Sequence, residues 1–340
     1  MSIYRASIAS CLTTLLLACS GTSATDNGIS EPTADGGGSG SDSGKVGPSN
    51  GNNGGGSDAG NGNGNPGVDS GDIGGGKDDA GSASPIEAGG GETGAPIGAF
   101  PAPVGACPTF ATGDVTFHPK GGDRKVAMTL GDPSKKGPLV FYWYATGSSP
   151  TEAQYGLPMT SVKAAGSIVV APYDVSGAGQ FPWLSNVAQH EDLFDEVLGC
   201  AVQNNAIDTN HIHTIGFSAG ALMATQLSYA RSKYLASVAT YSGGAPGTFE
   251  ENNNKFAAMI MTGGTTDVVV QNFLQSSTDW QTTLKAAGHF AMLCNHGGGH
   301  TIPTKLVPGV WQFFLDHPYG TNPSPYAGHI PSTIAPPCVE

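Results

Sequence analysis

Between residues 99 and 340, apolar runs of strand length alternate with segments of helical period. Val115–Phe117 and Val126–Leu130 are short β-branched runs a turn apart, which predict a leading hairpin. Leu139-Val140-Phe141-Tyr142-Trp143-Tyr144 is the uninterrupted run of a strand buried on both faces. Residues 151–165 predict helix, broken at Gly156 and Pro158, and Ile168–Ala171 predicts the next strand. Over 191–204, Leu193, Phe194, Val197, Leu198, Ala201 and Val202 fall on one helical face. A strand over 211–217 runs into an Ala-, Leu- and Met-rich helix. Strands at 238–241, 256–262 and 290–293 and helices at 277–287 and 307–317 complete the pattern. Strands alternating with helices predict an α/β domain with a mostly parallel central sheet and helices on both faces. In such sheets the chemistry sits beyond the carboxyl ends of the strands.

The first 98 residues follow neither period. Arg5 and the apolar stretch Ala6–Ala18 have the make-up of an export signal, too short to span a bilayer as a helix. The stretch ends Leu16-Leu17-Ala18-Cys19, which resembles a bacterial lipobox with Cys19 as the lipidated residue. Cleavage near Ala24, giving a secreted chain, is the alternative. Ser20 is not the Asp that marks inner-membrane retention in lipoproteins, so the expected location is the outer membrane or cell surface. Residues 20–98 are dominated by Gly, Ser, Asn and Asp and hold no aromatic residue, so a disordered Gly-rich tether is expected there. Its eleven acids, from Asp26 to Glu92, face only Lys45 and Lys77 and supply most of the chain's net charge of −13. The charge therefore says little about the domain's ligand. The mildly acidic remainder argues against a nucleic-acid partner. The organisation expected is 1–19 signal, 20–98 linker and 99–340 catalytic domain, with a membrane contact through the lipid anchor and a monomeric state.

Cys107, Cys200, Cys294 and Cys338 lie in the domain, an even count that suggests two disulfides after export, with three pairings open. No two form a C-x-x-C pair, so zinc ligation is not expected. His211 and His213 share a strand face as a possible metal pair, but no third ligand is evident, and hydrogen-bonded strand-end histidines are the expectation.

Gly216-Phe217-Ser218-Ala219-Gly220 sits where the 211–217 strand meets its helix. In a chain with 52 glycines the motif alone is weak; the strand–motif–helix context raises it. A serine on such a sharp turn is strained, its Oγ is exposed above the sheet, and the next N–H, that of Ala219, is free to donate. A serine hydroxyl needs a base, and the base an orienting acid. Asp267 leaves the carboxyl end of the 256–262 strand through Gly263-Gly264-Thr265-Thr266 and is the candidate acid; Asp279, placed at a helix start facing solvent, is its rival. His300, on the Gly297-Gly298-Gly299 loop before the closing helix, is the candidate base, with His296 as rival. The second oxyanion donor is expected after Trp143-Tyr144, at the N–H of Thr146.

These pieces resemble one family. Leu139–Trp143 with Thr146-Gly147-Ser148-Ser149, then Gly216–Gly220, then Gly264-Thr265-Thr266-Asp267-Val268-Val269-Val270, then Gly298-Gly299-His300-x-x-Pro303 are similar, in order and spacing, to the α/β-hydrolase esterases of the polyhydroxybutyrate depolymerase and feruloyl esterase group. The resemblance covers nearly all of 107–317. It implies an α/β-hydrolase fold and a secreted serine esterase without cofactor, with Ser218, Asp267 and His300 as triad. The substrate it implies is a feruloyl, acetyl, short-chain or polyhydroxyalkanoate ester. Two positions depart from the family: Tyr144-Ala145 replaces His-Gly, and Ile302 stands where the depolymerases tend to carry Trp. The first puts the oxyanion loop in question, and the second weakens the polymer-cleaving reading. Two alternatives remain: a non-catalytic binding lipoprotein on a hydrolase scaffold, and a peptidase of the prolyl-oligopeptidase kind, which lacks support in the absence of a propeller domain. Trp143, Tyr144, Phe181 and Trp183 form either an acyl pocket or core, core being the default for the strand pair. The loop Tyr173–Gly179 is expected to line the cleft; its glycine pattern is too loose for a phosphate site.

Overall fold

The computed structural model describes residues 99–175, 182–250, 254–334 and 337–340. The expected signal, Cys19, the linker, Phe181 and the stretch Ser176–Gly179 lie outside the described residues.

Nine strands form one sheet: β1 (Gly113–Phe117), β2 (Arg124–Leu130), β3 (Leu139–Trp143), β4 (Ile168–Pro172), β5 (Ile212–Phe217), β6 (Ser237–Tyr241), β7 (Ala257–Thr262), β8 (Ala291–Asn295) and β9 (Cys338–Val339). Their order across the sheet is β1-β2-β4-β3-β5-β6-β7-β8-β9. The pairs from β4 to β8 are parallel; β1, β2 and β9 run antiparallel at the two edges. This is the α/β-hydrolase fold. The inner strands carry no polar alternation because both faces are covered: every residue of β3, β4, β6 and β7 is buried.

The helices are α1 (Ala153–Gly156), α2 (Met159–Ala164), α3 (Val187–Gln203), α4 (Ala219–Ala230), α5 (Phe273–Ala286) and α6 (Val307–Asp316). The break between α1 and α2 falls at Leu157 and Pro158. Helix α4 packs on β3, β5 and β6, and α5 on β7 and β8. Its residues are buried on nearly every side, from Ala219 to Tyr229, so it serves as a core helix with only a weak polar stripe.

Two helix starts and one edge strand depart most from the sequence expectation. Helix α3 begins at Val187, four residues early. Helix α5 begins at Phe273, because the Asn272 side chain accepts a hydrogen bond from the Gln275 N–H and caps it; Asp279 therefore lies within the helix, exposed and bonded to the Gln275 side chain. Strand β9 was not expected. It is held against β8 by the Cys294–Cys338 disulfide, while Cys107–Cys200 ties the segment before β1 to α3.

After β3 the chain adds β4 on one side, and β5 then returns to pair on the other side of β3. The chain thus reverses direction at β3, and the loops beyond β3 and β5 diverge there. A crevice opens at such a point by construction.

Candidate active site

Ser218 occupies the turn between β5 and α4 with φ 55° and ψ −119°, a conformation that costs an L-residue free energy. Packing enforces it. A Cβ on Gly220 would lie 1.9 Å from the Trp143 carbonyl oxygen, and one on Gly216 would lie 2.4 Å from Gly220, so strand and helix cross only because both are glycine. The Ser218 N–H donates to the Tyr241 carbonyl at 3.0 Å, which fixes the turn from the β6 side.

His300 reaches the same point from the opposite loop. Its Nε2 lies 2.9 Å from Ser218 Oγ, and its Nδ1 lies 2.7 Å from Asp267 Oδ1. Two chain segments must touch for this to happen. The Gly299 N–H donates to the Gly263 carbonyl, and a Cβ on Gly263 would lie 1.9 Å from the Gly299 oxygen. The imidazole is gripped between Phe217 and Phe273, with ring centroids at 4.8 and 4.9 Å. Its tautomer follows from the partners: Nδ1–H donates to the carboxylate, leaving Nε2 to accept the serine proton.

Asp267 is fully buried. Its Oδ2 accepts from the Ser242 hydroxyl at 2.8 Å, the Gly263 N–H at 2.8 Å and the Thr262 hydroxyl at 3.2 Å. Burial alone pushes the carboxyl up; the bonds from His300, Gly263 and Ser242 outweigh it and hold the group below its ordinary range. The site therefore keeps an ionised acid in a dry place.

The loop after β3 is a tight turn. The Ser148 N–H donates to the Ala145 carbonyl at 3.1 Å, with Gly147 at φ 77° in its third position. In such a turn the second residue's N–H is not used, and that residue is Thr146. Its N–H has no partner among the described residues, whereas the N–H of Ala145 donates to the Glu152 carboxylate. At the first residue of α4, the Ala219 N–H is one of the donors a helix start leaves free.

The rivals go elsewhere. The His296 N–H donates to the Thr262 carbonyl, and its Nδ1 accepts from the Gly298 N–H; its ring joins neither Ser218 nor Asp267 by a hydrogen bond. His213 is buried, paired with Ser237 at 2.9 Å and stacked on Phe314, and His211 pairs with Asp208. Trp143 and Trp183 are fully buried and Tyr144 nearly so. Trp143 donates to Thr214, and Trp183 donates to the Tyr144 carbonyl, so these three rings are core. Tyr144 turns its hydroxyl to Asp174. Sequence reasoning missed Ser242 and Phe273. A serine directly after β6, one strand over from the acid, was the available signal for the first.

Two surface hollows, of about 390 and 340 Å³, lie around Phe110 and Ala206 at the amino edge of β4, and neither is lined by Ser218, Asp267 or His300.

Fold and site together define an α/β-hydrolase with the serine-hydrolase arrangement of side chains. The profile of the Phospholipase/Carboxylesterase family matches residues 185–316, which contain Ser218, Asp267 and His300. Feruloyl esterase D of Neurospora crassa is 30% identical over 168 residues, 44% of this chain and 56% of that protein. The chain thus matches little more than half the length of that curated relative. Among solved structures, native pOPH superposes with a TM-score of 0.57 at 14% identity, over 71% of this chain and 96% of that one. Native sOPH superposes with a TM-score of 0.53 at 14% identity, over 67% and 93%.

Proposed function

We propose that the protein is a serine carboxylesterase. The observation that carries this is the unbroken chain from Ser218 Oγ through His300 to buried Asp267, built on a strained strand-to-helix turn. Ser218 Oγ attacks the ester carbonyl and passes its proton to His300 Nε2. Asp267 holds the Nδ1–H and stabilises the imidazolium. The N–H groups of Ala219 and Thr146 hold the oxyanion. The alcohol departs with the proton from His300. Water, deprotonated by His300, then attacks the acyl-enzyme, and the carboxylic acid leaves as Ser218 recovers its proton. Each step uses groups already in place, and none calls for a cofactor.

Within that class we favour feruloyl, acetyl or other short-chain esters. The name of the Neurospora relative supports the aromatic acyl group, and Ile302 counts against a polymer. Val268, Val269 and Val270, which follow the acid, expose 55%, 60% and 40% of their surface and give the site an apolar rim. At the other end of the chain, Cys19 as a lipidated residue on a tether would place the enzyme on an envelope surface. Mass spectrometry of the mature N-terminus tests this: a lipidated Cys19 supports the anchor, and an unmodified start near Thr25 removes it.

The activity itself is tested by covalent labelling. A fluorophosphonate probe should add one phosphonate per chain, and peptide mapping should place it on Ser218. Labelling of another residue, or none on folded protein, contradicts the reading.

A further inference from the structure

The loop that carries Thr146 is closed on itself by a side chain the triad does not use. Glu152 lies in the 3₁₀ turn Pro150–Glu152 and is 8% exposed. Its carboxylate reaches back seven residues to the Ala145 N–H, at 3.2 Å from Oε1 and 3.3 Å from Oε2. The Tyr142 hydroxyl donates to Oε1 at 3.2 Å. One carboxylate thus binds Tyr142 of β3 and the first residue of the loop.

A buried carboxylate held only by neutral donors is costly. Burial raises the Glu152 carboxyl above its ordinary range, and the polar groups around it, the Ala145 N–H and the Tyr142 hydroxyl among them, offset part of that. A glutamine or a well-packed apolar residue would fill the place with less penalty, so stability gives no reason for the charge. Geometry gives one. By taking the Ala145 N–H downward, Glu152 fixes which way the next peptide faces. The next N–H is that of Thr146, which has no partner among the described residues.

We propose that Glu152 is a positioning residue that aims the Thr146 N–H at the reacting carbonyl, so that the loop is set before substrate arrives. It touches no reacting atom and acts through the backbone of residues 145–148. The proposal rests on the serine-esterase reading above.

The test is Glu152→Gln in the full chain, with rates expressed per active site counted by burst titration. The isosteric amide keeps the volume and loses one acceptor. Expected is a fall in kcat for nitrophenyl acetate of about 10–100-fold with KM within about twofold, because misplacing a transition-state donor leaves ground-state binding intact. Inhibition by an aryl boronic acid, whose tetrahedral anion on Ser218 needs the same donor, should weaken by a similar factor. A purely structural role would lower the melting temperature and the number of titratable sites, and leave kcat per site and boronate affinity unchanged. That result overturns the proposal. Should Glu152→Gln yield no folded protein, Tyr142→Phe removes one donor to the same carboxylate. A parallel loss of several-fold in kcat and boronate affinity supports the role, and wild-type values for both overturn it. A wild-type chain with neither turnover nor phosphonate label overturns the esterase reading and this inference with it. A wild-type chain that turns over and is matched by both variants overturns this inference alone.

Discussion

At the scale of single residues, Asp267 is where the bonds converge: four donors meet on one buried carboxylate. Asp267→Asn would remove the acceptor that fixes the His300 tautomer while keeping the shape. Its kcat should fall by about 10⁴ with the fold intact by circular dichroism. Ser242→Ala tests the support behind the acid. Because the Asp267 carboxyl is held below its ordinary value of 3.8, its contribution to stability is fully present above that pH and is lost as pH falls through the folded value. Deleting the Ser242 hydroxyl raises the folded value, so acid unfolding should begin at higher pH, with about 1–2 kcal/mol lost at neutral pH. Acid-induced unfolding followed by fluorescence checks it; superimposable curves would contradict the assignment. The candidate trio was legible in the sequence because each member sits at the carboxyl end of a readable strand: Ser218 after β5, Asp267 after β7, His300 after β8. Ser242 and Phe273 were not, since their roles come from contacts between distant segments that no local period records.

At the scale of elements, the crossing of β5 and α4 tolerates no added atom. Gly220→Ala drives a Cβ into the Trp143 carbonyl, which is backbone and cannot swing aside. Its cost should be about 1–3 kcal/mol or more, and the displaced β3 loop should remove most activity; denaturant unfolding beside an activity assay measures both. The edge strand β9 depends on the link to β8. Losing Cys294–Cys338, which closes 44 residues, should cost about 2–5 kcal/mol and lower the melting temperature by roughly 5–15 °C. Scanning calorimetry of Cys294→Ser/Cys338→Ser against wild type gives the number. Strand β9 was invisible in the sequence because two residues carry no period, and the cysteine pattern left three pairings open. The early start of α5 was readable in principle: Asn272 followed three residues later by Gln275 is a capping pattern. The long inner strands were the easiest to read, because burial on both faces leaves an unbroken apolar run.

At the scale of the whole molecule, buried histidines govern the response to acid. His190, His289 and His317 are held at about 4, chiefly by burial, and buried His213 is also pushed below 6.5. A histidine kept neutral in the fold and free to charge at 6.5 when unfolded gives the unfolded state more protons between those values. Stability should therefore fall as pH drops from 6.5 toward 4, with about three protons taken up per unfolding event near pH 5. Melting temperature against pH, with the proton count from its slope, checks this; a flat profile over that window would contradict the burial of these rings. The reversal at β3 does the corresponding work for function, since the loops that follow β3 and β5, which carry Thr146 and Ser218, diverge there.

The central claim is that Ser218 performs the chemistry. It is tested most directly by steady-state turnover of nitrophenyl acetate and methyl ferulate by the full chain, expressed in an oxidising compartment, beside Ser218→Ala. The account predicts ester hydrolysis by the wild type and a loss of at least about 10⁴-fold in the variant, with both proteins folded alike. Turnover that survives the substitution, or a folded wild type that hydrolyses neither ester, would contradict it.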